Sequence, residues 1–276
     1  MSAPDIEPDE EWAPKLVALD VDGTLLSRNG ELDADLRASV QRVVAAGIPV
    51  VLATGRTFRT TITVATDLGL PAGFAVTQNG AVSVSYDPAQ PEQYEEFGRQ
   101  VFDPAPVVQA VLGLRPGLAI GVDRPDGYWV NRPFPAGDLS GAVSVHTLED
   151  LLSEPVTRVI VRDEEGTEAE IEQLAQQLGM HDITYYVGYS AWLDINPRGV
   201  SKAAGLDEVC RLIGVHPGYV LAIGDGRNDI EMLQFAGRGV AVGDAPPEVQ
   251  AAADAVTGRY DEQGTAAELD RWFGPA

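Results

Sequence analysis

The stretch Leu16-Val17-Ala18-Leu19-Asp20-Val21-Asp22-Gly23-Thr24 decides how the rest of the chain is read. Four apolar residues that stop abruptly at a carboxylate mark a short strand covered on both faces, the usual state of a strand inside a parallel sheet. Side chains two residues apart leave a strand in the same general direction, so Asp20 and Asp22 make a carboxylate pair at its end. Gly23 lets the backbone turn and bring its amides toward an anion. With that spacing one aspartate can attack phosphorus while the other protonates the leaving oxygen and then activates water. Two other readings stay open at this point. One is a plain Asp-rich turn. The other is a calcium loop with Asp20, Asp22, Thr24 and Glu31 as ligands, although Leu25 stands where such a loop needs glycine.

Working outward, similar runs end in polar residues or glycine: Val50-Val51-Leu52-Ala53 before Thr54, and Val220-Leu221-Ala222-Ile223 before Gly224-Asp225. Phe74-Ala75-Val76 and Val240-Ala241-Val242 add two more. Between them, Leu36, Val40, Val43 and Val44 before Gly47, and Leu206, Val209, Cys210 and Ile213 before Gly214, have helical spacing. Strand, helix, strand in alternation predicts an α/β fold with a doubly wound parallel sheet, whose ligands sit beyond the carboxyl ends of the strands. From about Val82 the hydrophobicity alternates instead and turn signals multiply, as at Arg124-Pro125-Asp126-Gly127. This predicts an antiparallel α+β insertion over 84–187, flanked by core segments 15–83 and 188–276. Residues 1–14, rich in acid and proline, are expected to be a solvated, disordered tail.

A second acidic cluster, Gly224-Asp225-Gly226-Arg227-Asn228-Asp229, follows a core strand and opens a helix. If it lies beside the first, Asp20, Asp22, Asp225 and Asp229 crowd together, each close pair repelling by about 4 kcal/mol at an effective dielectric near 20. Such a pocket calls for a hard cation with oxygen ligands, and Mg2+ is the natural partner of a phosphoryl group. A solvated turn that caps a helix is the competing account. Thr54-Gly55-Arg56 ends another core strand, where a hydroxyl and free amides can hold phosphate oxygens, although a plain strand-to-helix turn explains it about as well. Lys202, at a helix start, is placed to neutralise a phosphoryl group and the attacking aspartate, though an ordinary exposed lysine reads the same way. His146, His181 and His216 are too scattered for a zinc site. Cys210 lies on an apolar helical stripe and reads as packing.

Bulk composition narrows the partners. With 42 acidic and 19 basic residues the net charge is −23, which repels nucleic acid and anionic membrane surfaces. No apolar run approaches the length of a membrane span, and one cysteine makes no internal disulfide, so the expected location is the cytoplasm. A small phosphorylated metabolite, the partner expected from the acidic motifs, is repelled too, so its site must carry local positive charge from a metal, a lysine or a helix N-terminus; monomer and homodimer are both open.

Taken in order, Asp20-Val21-Asp22-Gly23-Thr24, Thr54-Gly55-Arg56, Lys202 and Gly224-Asp225-Gly226-Arg227-Asn228-Asp229 resemble the four motifs of the haloacid dehalogenase superfamily. The large insertion, introduced by Thr77-Gln78-Asn79-Gly80-Ala81 and followed by Gly199-Val200-Ser201-Lys202, is similar to that of the Cof-type phosphatases. The resemblance implies that Asp20 forms an aspartyl-phosphate and that Asp22 acts as general acid, then base. It implies a Mg2+ ion held by Asp20, the Asp22 backbone carbonyl and Asp225, with Asp229 as ligand or support. Gly23, Thr54, Gly55, Lys202 and Asn228 would bind or frame the phosphoryl group. A phosphomutase on the same scaffold, or a phosphometabolite-binding module without turnover, are the alternatives. The chain departs from the family at Gly226, where serine is frequent, and at Asp244, where asparagine is frequent and a carboxylate near the site rim is expected. Tyr128, Trp129, Asn131, Arg132, Tyr189 and Trp192 of the insertion are candidate substrate contacts.

Overall fold

The computed structural model describes residues 12–27, 29–139, 141–178, 183–187 and 191–274. The first apolar run becomes strand β1 (Leu16–Leu19), followed by β2 (Val50–Ala53), β3 (Gly73–Thr77), β4 (Val82–Tyr86) and β5 (Tyr94–Arg99). Next come β6 (Ala119–Arg124), β7 (Gly127–Val130), β8 (Val143–Val145), β9 (Val159–Arg162), β10 (Ile183–Val187) and β11 (Trp192–Pro197). The chain closes with β12 (Val220–Gly224), β13 (Arg238–Ala241) and β14 (Ala255–Val256).

Two sheets result. One has the order β14-β13-β12-β1-β2-β3-β4-β5, parallel from β14 to β3 and antiparallel between β3 and β4. Every residue of β1, β2 and β12 is buried, as continuous hydrophobicity predicts for strands covered on both faces. Alternate side chains of β1 enter different cores. Val17 and Leu19 pack with Leu36, Ile62 and Leu269, whereas Leu16 and Ala18 pack with Leu206, Val209 and Met232. The sheet is therefore sandwiched between two helical layers, the doubly wound arrangement expected from the sequence.

The helix Lys202–Ile213 is the one that carries the lysine of the third motif. Ser201 caps it, its hydroxyl accepting from the Ala204 amide at 3.1 Å, and Gly214 ends it in the left-handed conformation at φ 71°. These two punctuation marks place Lys202 in the first helical turn.

The second sheet has the order β10-β11-β9-β6-β7-β8 and is antiparallel except between β7 and β8. The predicted hairpin forms, with Arg124 opposite Gly127. The helices Ala105–Leu114 and Glu168–Leu178 share a core with one face of this sheet through Val108, Val111, Ile171 and Leu174.

Contacts divide the chain into one unit running to Gly98 and resuming at Ser201, and a second spanning Arg99–Val200. The insertion thus starts and ends later than the 84–187 expected. Alternation in Val82–Tyr86 does signal antiparallel pairing, but its partner is β3 of the core sheet. At the other end β11 pairs with β10 and β9, which keeps it in the insertion. The expected tail of 1–14 is also revised at its described end. Trp12 donates from its indole to the Gly218 carbonyl at 2.7 Å and stacks edge-on against Trp272, with centroids 4.9 Å apart. An indole that finds both an apolar wall and an acceptor is anchored rather than solvated.

Candidate active site

Parallel neighbours end at the same edge of a sheet. The register that sets Leu19 opposite Ile223 therefore delivers Asp20 beside Gly224 and Asp225. The Asp20 amide continues the ladder, donating to the Ile223 carbonyl at 3.0 Å. Asp20, Asp225 and Asp229 are all buried, and each offers a carboxylate oxygen within 4.8 Å of the others. Lys202 is 0% exposed and its Nζ donates to Asp20 Oδ1 at 2.5 Å and to Asp229 Oδ1 at 2.6 Å. The exposed-lysine reading fails.

The surrounding turns leave little freedom. Asp229 Oδ2 accepts from the amides of Asp225 at 3.0 Å and Gly226 at 2.8 Å, and the Thr24 hydroxyl donates to Asp225 Oδ1 at 3.2 Å. Gly23 has φ +87°, and a Cβ there would sit 2.3 Å from Asp225 Oδ2. Glycine is required at that turn both for its backbone and for the space it leaves the carboxylate.

Fully ionised, three buried carboxylates facing one ammonium would leave a net charge of 3 − 1, two negative charges out of water. Burial first, then Asp229, holds the Asp20 carboxyl well above the usual carboxylate range. Burial and Asp229 likewise raise Asp225 to about 7. Burial pulls Lys202 down, but Asp20 and Asp229 outweigh it and keep the ammonium above its ordinary value. The donor set is all oxygen and carries excess negative charge, which fits a hard divalent cation such as Mg2+.

A raised carboxyl adds stability below its ordinary value and loses it as pH climbs through the folded value. In chelator the melting temperature is therefore expected to fall between about pH 5 and about pH 8, the span that contains the Asp225 value near 7. Magnesium should raise the melting temperature most at the alkaline end. A magnesium-induced gain in thermal scans that shrinks with rising pH would contradict this account.

Asp22 stands apart from the triad. Its exposed carboxylate is gripped by Arg56, from Nε at 2.8 Å and from a terminal nitrogen at 2.5 Å. The crowding of four carboxylate side chains expected from sequence is thus a crowding of three. Spacing along a strand fixes direction only while the strand lasts, and Asp22 lies past its end. Glu31, needed by a calcium loop, is exposed and not in the cluster.

Thr54 is buried at the end of β2, its hydroxyl accepting from the Arg56 amide at 3.1 Å, with Gly55 half-buried between them. Asn228 donates to Asn79 Oδ1 at 2.9 Å. Sequence reasoning does not assign Thr24, Arg56 or Asn79 to the site. The Asn79-Gly80 turn signal is visible, but nothing local says what a turn residue faces.

The other candidates have the following partners. Trp129 stacks on His146 with centroids 3.9 Å apart, Asn131 accepts from the Ile120 amide at 2.8 Å, and Arg132 donates to the Gly117 carbonyl at 2.9 Å. Trp192 donates to Asp194 at 2.9 Å and Tyr128 is buried. His216 accepts from the Gly218 amide at 3.0 Å. Cys210 is buried and its thiol is pushed up to about 11 by burial, in keeping with packing. Tyr189 and His181 lie outside the described residues. Asp244 is balanced, accepting from the Tyr260 amide at 2.8 Å and pairing with Arg259 at 2.9 Å.

Comparison with known proteins gives the family. Residues 17–100 and 138–269 match the haloacid dehalogenase-like hydrolases, and the chain belongs to that family. It is an enzyme of the phosphatase type, a phosphoric monoester hydrolase. The stress response protein YhaX of Bacillus subtilis (strain 168) is 30% identical over 281 residues, covering 94% of this chain and 93% of that protein. The 5-amino-6-(5-phospho-D-ribitylamino)uracil phosphatase YitU of the same organism is 29% identical over 276 residues, covering 95% and 99%. A solved phosphatase of the haloalkanoate superfamily from Bacteroides thetaiotaomicron is 26% identical, with a TM-score of 0.77 and coverage of 97% and 98%. The resemblance drawn from the four motifs is borne out, as is the α/β fold. Among the described residues no helix is long and apolar enough to cross a membrane.

Proposed function

We propose that the chain is a magnesium-dependent phosphatase of a small phosphorylated metabolite, working through an aspartyl-phosphate on Asp20. One observation carries the reading: Asp20 shares a buried cluster with Asp225, Asp229 and Lys202, although 182 positions separate it from the lysine. Magnesium, held by Asp20, Asp225 and Asp229 with the Asp22 carbonyl, would offset the negative charge that otherwise repels a phosphate ester.

Each residue has its own part in the reaction. An oxygen of Asp20 forms a bond to phosphorus while the bond from phosphorus to the leaving oxygen breaks. Asp22 gives that oxygen a proton, which requires it first to exchange its Arg56 partner. Asp22 then takes a proton from water, whose oxygen attacks phosphorus and frees Asp20 and inorganic phosphate. Lys202 orients Asp20 and faces the charge that spreads over the transferring oxygens. Thr54 and the amides around Gly23 and Gly55 cradle those oxygens, and Asn228 braces the turn between Asp225 and Asp229.

For substrate, a phosphate carried on a sugar or polyol chain is the leading class. The YitU relative, named for a phosphoribityl compound, supports this. The inserted unit would select the organic part.

The experiment is a panel of phosphate esters assayed with magnesium and with chelator. Phosphate release that needs magnesium is the expected result. An isomeric sugar phosphate in place of free phosphate would turn the reading into a mutase. Tight binding with no turnover across the panel would overturn it.

A further inference from the structure

Gln78, Asn79 and Gly80 carry the chain from β3 into β4 with φ of 52°, 60° and 97°, three successive left-handed residues of which only the last is glycine. A glutamine holds that conformation only where its surroundings impose it. The contacts around it reach three other segments: the turn after β2, the turn that carries Asn228 and the cap of the Lys202 helix. The Gln78 amide donates to the Arg56 carbonyl at 2.9 Å and the Asn79 amide to the Thr54 carbonyl at 3.0 Å. The Asn79 side-chain oxygen accepts from Asn228 at 2.9 Å. A Cβ on Gly80 would lie 2.0 Å from the carbonyl oxygen of Ser201, the residue that caps the helix of Lys202.

Asn228 belongs to the short turn Arg227–Asp229, which is stiffened from within by the two amides that Asp229 receives. A turn that is rigid internally is set in place by its external attachments. The bond from Asn228 to the fully buried Asn79 is one, and it ties the turn to the end of β3.

We propose that Asn79 is a positioning residue for the metal-binding carboxylates. By holding Asn228 it fixes the turn that presents Asp225 and Asp229. The inference rests on the assignment of a divalent cation to that cluster. Magnesium demands near-ideal octahedral geometry, so a small displacement of two ligands is read directly as lost affinity. Asparagine suits the position doubly, since it tolerates positive φ and its amide oxygen reaches a neighbour. Glycine would meet the first need without the second, and alanine would meet neither.

Asn79→Gly is therefore the informative variant, because it permits the same positive φ while removing the side chain whose amide holds Asn228. In the full-length protein, Mn2+ affinity read from the electron paramagnetic resonance of the free ion is expected to fall about tenfold. The kcat should fall by a similar factor while KM stays within about twofold. Asn228→Ala should reproduce the loss, and the double variant should be no worse than either single one, the mark of two groups acting through one bond. A cooperative thermal transition in each variant separates this result from unfolding. Unchanged manganese affinity in Asn79→Gly, or losses that multiply in the double variant, would overturn the inference alone. A parent protein that binds no manganese would overturn the metal assignment as well, and is thereby told apart.

Discussion

Asp20→Asn is expected to lower kcat for magnesium-dependent phosphate release by more than about 10⁴-fold, while leaving the metal-free protein at least as stable as the parent. The amide keeps the shape of the side chain and cannot attack phosphorus. The stability half follows from charge. Burial, then Asp229, makes ionised Asp20 unfavourable despite Lys202, and a folded value above the unfolded one means a contribution lost as pH rises. Asparagine carries no such charge, and Lys202 retains Asp229 at 2.6 Å. Phosphate assays paired with thermal scans in chelator at about pH 8 test both halves. Full activity in the variant would remove the nucleophile assignment, and a large drop in melting temperature would remove the electrostatic account.

Lys202→Met is expected to be the most damaging single change to stability. Methionine fills a similar volume, but three buried carboxylates then face one another without a cation. Removing one partner of a buried ionic group costs about 3–5 kcal/mol, which for a chain of this size lowers the melting temperature by roughly 6–20 °C. Activity should vanish with it. Acid pH and added magnesium should each restore part of the lost stability, one by protonating the carboxylates and the other by replacing the missing charge. A variant that melts within a degree or two of the parent at neutral pH would show that the cluster is not held together as described.

Much of this architecture is legible in the sequence, for a definite reason. Leu16–Leu19 and Val220–Gly224 are buried on both faces, so their hydrophobicity is unbroken, and unbroken short runs that end in Asp or Gly announce both a parallel sheet and its reactive edge. What stays hidden depends on partners far away along the chain. Val82–Tyr86 reads as the start of the insertion because alternation reveals antiparallel pairing and says nothing of which sheet is joined. Asp22 groups with the triad by spacing, and spacing cannot show that Arg56 captures it. Asp244 reads as an added charge at the rim, whereas the compensating Arg259 sits beyond the next strand. Trp12 falls in an acidic tail by composition, yet Trp272 supplies its wall from the far end of the described chain.

The pairing of Leu16 with Val220 also makes the acidic cluster depend on two parts of the chain that are synthesised far apart in time. The strand that leads to Asp20 leaves the ribosome early, yet its neighbour on one side, and the carboxylates of Asp225 and Asp229, are translated about two hundred codons later. The intervening unit keeps its sheet pairings within its own span and can fold in the interval, while β2 already has β1 and β3 beside it and β1 waits with one edge unpaired. Nascent chains halted before β12 thus lack Asp225 and Asp229, two of the three carboxylates clustered with Asp20, so the cluster is completed in a late step rather than by degrees.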